Sequence, residues 1–241
     1  MKKRIALILA GTMLMSFVLS ACGDDKTASE NDAKKEDTVD TSSDENKKTT
    51  FTVGFDAEYP PYGYMDENGE YTGFDLELAE AVCKLEGWEL VKKPINWDAK
   101  DMELNSGSID CIWNGFTMNG REEEYTFSTP YVDNSQVIVV AEDSGINTLE
   151  DLAGKTVGVQ AASAALELLQ SDEKDGQKAL ADTFGALNEF ADYNTAFTEL
   201  QAGALDALAI DIGVANYQIK SRGEGIKFRK TLNTETICNC I

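Results

Sequence analysis

The residues best suited to chemistry lie between Asp110 and Arg121, in the order Asp-Cys-Ile-Trp-Asn-Gly-Phe-Thr-Met-Asn-Gly-Arg. Ile109 to Trp113 is short, apolar and β-prone, as a buried strand should be, and Asn114-Gly115 is where such a strand would end and turn. Gly115 would let a ligand approach the backbone closely. Thr117 adds a hydroxyl, and Arg121 adds a planar fork of donors that fits a carboxylate bidentately. Together these groups suit the holding of a small carboxylate, and they contain no nucleophile–base pair. The plainer alternative is a strand, a turn and a surface ion pair of little energetic consequence. Other polar groups fall at the predicted C-terminal ends of strands, where open α/β sheets bind ligands. Asp56 and Tyr59 follow the strand Phe51–Asp56, and Trp97 follows Trp88–Ile95, with packing in the core as its alternative role. Ser163 heads a helix, where unpaired N–H groups attract anions, and it could equally be only an N-cap. Asp211 ends the apolar strand 207–210; it could bind an ammonium group or cap the helix that begins at Ile212.

These groups need a scaffold, and the chain supplies alternating strand and helix patterns from Phe51 onward. Tyr62 to Tyr71, around Asn68-Gly69, reads as a hairpin. Asp75 is a candidate N-cap for the helix over 76–86, with Gly87 its stop. A short helix leads to Ser106, and the Glu122–Glu124 run reads as a solvated helix face. Gln136 to Ala141 is a strongly apolar strand, and 132–135 could cross between lobes. A second β/α series follows: a short helix over 148–154, strand 155–159, a small-residue loop and helix through Leu169, strand 184–190, helix 195–202, strand 207–210, helix 212–220 and strand 226–232.

Composition narrows the chemistry further. The net charge is −22 over 241 residues, and loss of Lys2, Lys3 and Arg4 would leave −25. Such a surface repels nucleic acid and anionic lipid. The chain has no His, which excludes Ser-His-Asp and Cys-His catalysis and His-based zinc sites. No cofactor is implied. Lys2-Lys3-Arg4 followed by apolar residues to Leu19 has the layout of a signal peptide over 1–21. Leu19-Ser20-Ala21-Cys22 resembles a bacterial lipobox, in which Cys22 would carry the lipid anchor. Residues 22–50 are too poor in apolar side chains to offset chain entropy and read as a disordered tether. Of the remaining Cys, Cys83 and Cys111 could form a disulfide in an exported protein or remain buried thiols.

In order along the chain, Val53-Gly54-Phe55-Asp56 with Tyr59-Pro60-Pro61-Tyr62, Gly73-Phe74-Asp75, Asp110 to Thr117 with Arg121, Phe127-Ser128, Tyr131, Leu152 to Val159 and Ala207 to Asp211 resemble the polar amino-acid-binding, extracellular solute-binding proteins (family 3) of ABC importers. The resemblance implies an α/β, two-lobed type II periplasmic-binding-protein fold, with lobe 1 over 51–135, lobe 2 over 136–234 and a second crossing over 235–241. It implies that Arg121 grips a ligand α-carboxylate, helped by Thr117, the Gly115 backbone and Ser163 with its helix N-terminus. Asp211 would take the α-ammonium together with the Gly115 carbonyl. Asp56, Tyr59 and Trp97 would line the side-chain pocket, with Asn114 and Gln160 nearby. The implied function is capture of a neutral or basic polar amino acid by a lipid-anchored, monomeric receptor that delivers it to the membrane subunits of a permease.

Two features depart from the pattern. The segment from Gly115 to Arg121 is one residue shorter than in many members. After Glu235 the family returns to lobe 1 with a strand and two helices, whereas here the sequence reads Thr236-Ile237-Cys238-Asn239-Cys240-Ile241, as in a truncated lobe 1. Each buried apolar side chain lost with that segment would remove about 1.5–3 kcal/mol. A CxC metal site at Cys238 and Cys240 is an alternative reading of that ending. Three other functions therefore stand beside the receptor: a sensor that serves no permease, a non-functional truncated copy, and a dehydratase-like enzyme, which would need an acid/base pair in the cleft.

Overall fold

The computed structural model describes residues 49–223 and 225–240. The expected signal peptide and Cys22, and the tether up to residue 48, lie outside the described residues.

Eleven strands and six α-helices are described. β1 (Thr50–Phe55), β2 (Glu58–Tyr59), β3 (Gly63–Met65) and β4 (Tyr71–Thr72) precede α1 (Phe74–Glu86), β5 (Glu89–Pro94), α2 (Lys100–Asn105) and β6 (Cys111–Thr117). β7 (Val132–Ala141), β8 (Thr156–Gln160), α3 (Ala164–Gln170), α4 (Lys178–Ala181), β9 (Ala186–Phe190), α5 (Tyr193–Gln201), β10 (Ala207–Asp211), α6 (Ile212–Arg222) and β11 (Ile226–Cys240) complete the order. Eight strands form one sheet in the order β5-β1-β6-β11-β7-β10-β8-β9, and β2-β3-β4 form a small antiparallel one.

The large sheet is two parallel halves, β5-β1-β6 and β10-β8-β9, joined through two antiparallel strands. β7 and β11 pair from Ile226↔Ala141 to Ile237↔Val132, and β11 then continues onto β6 at Ile237↔Thr117. The two strands therefore belong to both halves. Parallel strands must be covered on both faces, which explains their apolar runs. One half buries Val53, Phe55, Leu76, Ala79, Cys111 and Trp113 together. The other buries Ile138, Val140, Val157, Val159, Leu166 and Leu169.

Several expectations are corrected. β6 does not end at Asn114-Gly115. It passes through Gly115, whose φ of +58° kinks the strand without ending it, because β11 continues to pair with it at Phe116 and Thr117. Asp75 is not the N-cap of α1: the cap position is Gly73, and the Asp75 side chain is fully buried. The run Glu122–Glu124 is exposed, as expected, but forms turns and no helix. Of the two states open to Cys83 and Cys111, the structure shows buried thiols. The last strand extends well beyond Leu232, because β7, β6 and their backbone groups offer a ladder along its whole length.

Candidate functional site

The ends of β2, β6, β8 and β10 and the start of α3 converge where the two halves meet. From the first half come Tyr59, Trp97, Gly115, Thr117 and Arg121; from the second come Gln160, Ser163, Ala164 and Asp211. The cavity between them is about 10 Å³, roughly the room of one water, so the two walls are in contact. Eight of the ten residues singled out from sequence line it. The remaining two stand directly behind: Asn114 Oδ1 accepts from the Asp56 amide at 3.0 Å, and Asp56 Oδ2 accepts from Gln160 Nε2 at 2.7 Å.

Each side chain is held by its element. Arg121 is 4% exposed, with its guanidinium over the Phe116 ring at 4.7 Å. Its Nη1 donates to the Thr117 carbonyl at 3.1 Å, and its Nη2 donates to Glu167 of α3 at 2.7 Å. Asp211 occupies the N-cap position of α6 but makes no capping bond there. Its carboxylate instead accepts from Asn134 and from Gln136 Nε2, the latter at 2.7 Å. The β7–β10 register, Asp211↔Gln136, places those two amides on the face that Asp211 presents, since side chains of a strand alternate. The Tyr59 hydroxyl also bonds Asp211, and burial followed by that carboxylate holds the phenol protonated. Ser163 both caps α3, accepting from the Leu166 amide at 3.2 Å, and lines the cavity. Trp97 is buried and does two things: it packs edge-on against Phe116, and its Nε1 donates to the Ala162 carbonyl of the opposite half at 3.2 Å.

Gly115 is required twice. Its positive φ favours glycine, and a Cβ there would press on the rings of Tyr59 and Tyr62 at 3.3 Å. Its amide donates to the Asp75 carboxylate, which also accepts from the Tyr131 hydroxyl at 2.9 Å. Asp75 thus ties α1, the cavity strand β6 and the chain entering β7 at one point. Burial raises its carboxyl to about 7, and burial raises that of Asp56 to about 6.

Sequence reasoning missed four contributors. Asn134 and Gln136 show only as a period of two along an apolar strand. Glu167 sits one helical turn beyond Ser163, a spacing that marks the same helix face. Lys100 is 4% exposed, with Nζ 5.5 Å from the centre of the Trp97 ring. Burial, set against the Asp101 carboxylate and helped by the nearby Arg121 guanidinium, lowers its pKa. Nothing in its short local pattern distinguished it from a solvated lysine. On the far side of Trp97 a wider opening of about 540 Å³ is edged by Asp56, Glu58, Asp98, Glu103 and Asp192.

Arg121 and Asp211 are thus both buried and face one cavity between two halves of a β-sheet. Residues 51–199 match the model of the bacterial extracellular solute-binding proteins, family 3, and the chain belongs to that family. It is 30% identical over 226 residues to the arginine-binding extracellular protein ArtP of Bacillus subtilis (strain 168), covering 93% of this chain and 78% of the relative. It is 32% identical over 168 residues to the L-cystine-binding protein TcyJ of Escherichia coli (strain K12), covering 68% of this chain and 60% of that one. Among solved structures, an ABC uptake transporter substrate-binding protein from Streptococcus pneumoniae with bound histidine superposes with a TM-score of 0.74 at 34% identity, covering 79% of this chain and 78% of that chain. The fold is the two-lobed periplasmic-binding-protein fold, and the protein is an amino-acid solute-binding protein of the ABC-transporter class.

Proposed function

We infer that this chain is a lipid-anchored receptor that captures a neutral or basic polar amino acid between its lobes and delivers it to an ABC permease. The observation that carries this reading is the pairing of buried Arg121 and buried Asp211 on facing walls of one cavity. An amino acid offers a carboxylate to the first and an ammonium to the second, and both charge pairs are desolvated as the walls meet. The Gly115 carbonyl and Thr117 assist from lobe 1, and Ser163 assists from lobe 2. The side chain extends past Tyr59 and Trp97 toward Asp56 and Gln160. The carboxylates edging the adjoining opening favour a basic or neutral side chain there over an acidic one. The ligands of similar proteins (arginine, histidine and cystine) agree with that preference.

Ligand binding works by population shift: a molecule that bridges both lobes stabilises the closed form, which the permease then receives. Cys22 supplies the anchor at the extracytoplasmic face of the membrane, and the acidic tether holds the monomeric body near the permease. Thermal unfolding of the full chain against the twenty amino acids and cystine tests the reading, because a ligand specific to the folded state must raise the midpoint. A rise with one or two basic or neutral polar amino acids supports it. A cooperative transition that no amino acid shifts contradicts it and favours a sensor of another solute.

A further inference from the structure

The guanidinium of Arg121 is held from both lobes. Within lobe 1, Nη1 donates to the Thr117 carbonyl at 3.1 Å. From lobe 2, a single oxygen of Glu167, Oε1, accepts from Nη2 at 2.7 Å and from Nε at 3.3 Å. A guanidinium has five N–H donors in a fixed plane. Three are engaged by these contacts, which leaves one on each terminal nitrogen, the number that a bidentate carboxylate needs. Glu167 therefore takes one edge of the fork and leaves donors over for a second carboxylate. It stands on α3 one turn beyond Ser163, and its side chain is 51% exposed while that of Arg121 is 5% exposed. Glu167 thus reaches inward from the rim, and its neighbour Ala164 is part of the cavity wall.

We propose that Glu167 is a positioning residue for ligand capture: as the lobes close, its carboxylate locks the plane of Arg121 so that the remaining two donors meet the α-carboxylate of the amino acid. This rests on the receptor reading above and extends it to a residue that touches Arg121 and not the ligand. Because the two residues come from different lobes, the contact exists only when the lobes are together. Its loss must then appear in release of the ligand, while the encounter with the open cleft is unaffected. The buried Lys100 is close enough to Arg121 and to Glu167 for their charges to act on it, so the charge of Glu167 as well as its shape is part of the lock.

The test is stopped-flow binding and thermal unfolding of the full chain and of Glu167→Gln, with L-arginine, L-histidine and L-cystine as probes. The substitution keeps length and shape and removes the charge. For any probe bound by the unsubstituted chain, Glu167→Gln is expected to raise koff by roughly tenfold and to leave kon within about threefold. The ligand-free unfolding midpoint should be unchanged, since the residue is half exposed. Unchanged koff would overturn the proposal. Slower release would also overturn it, because it would mean that Glu167 competes with the ligand for Arg121. If none of the twenty amino acids nor cystine shifts the midpoint of the unsubstituted chain, the receptor reading itself fails and takes the proposal with it.

Discussion

At the scale of single residues, Asp56 is the most informative group in the cleft. Its carboxyl is raised to about 6, chiefly by burial and against the opposing effect of bonds from the Glu58 amide and Gln160. Below that value it is neutral and above it is an anion. If it faces a cationic side chain, affinity for L-arginine should rise as pH goes from about 5 to 7.5, while affinity for L-glutamine should change little. Titrations at several pH values would show this, and Asp56→Asn should flatten the arginine profile. A profile equally flat in the unsubstituted chain would remove Asp56 from the side-chain pocket.

At the scale of elements, the segment from Tyr59 to Tyr62 packs against the start of α6. Tyr59 and Tyr62 come from the first half of the chain but pack among Tyr193, Phe197, Ile210 and Val214 of the second. A Cβ at Gly213 would lie 2.9 Å from Tyr62 Cζ and closer still to its hydroxyl. Gly213→Ala should therefore hinder closure and weaken amino-acid binding by about 1–3 kcal/mol, the usual cost of overpacking, as calorimetry would measure. Unchanged affinity would show that the loop can yield. This contact was not legible in the sequence, because it joins segments some 150 residues apart. The strands and most helices were legible, because buried parallel strands are short apolar runs and α5 carries a plain Asp192 cap. What misled was chemistry with two local uses. Asn114-Gly115 reads as a turn, and only the pairing with β11 shows that the strand continues. Asp75 reads as a cap, and only the fold brings the Gly115 amide and Tyr131 to its carboxylate. Asp211 reads as a cap or as a ligand group, and its partners Asn134 and Gln136 lie on a strand far away in sequence.

At the scale of the whole molecule, buried carboxyls tie stability to pH. Asp75 and Asp56 have ordinary values of 3.8 and folded values of about 7 and about 6. Between those limits the folded chain binds more protons than the unfolded one, so their contribution makes stability fall as pH rises from about 4 to 7, then level off. Asp75→Asn should remove the upper part of that slope in denaturant unfolding measured across the window. An unaltered slope would mean that Asp75 does not titrate there. The same network joins the cavity strand β6 to the chain entering β7.

The central claim, that an amino acid is clamped between Arg121 and Asp211, is tested most directly by titration calorimetry of the full chain and of Arg121→Ala with L-arginine, L-histidine, L-glutamine and L-cystine. Binding of at least one of them is predicted, at one per chain, with a loss of about 2–5 kcal/mol in Arg121→Ala, as expected on truncating one partner of a buried charge pair. Equal affinity in the substituted chain, or no binding by the unsubstituted one, would contradict the account.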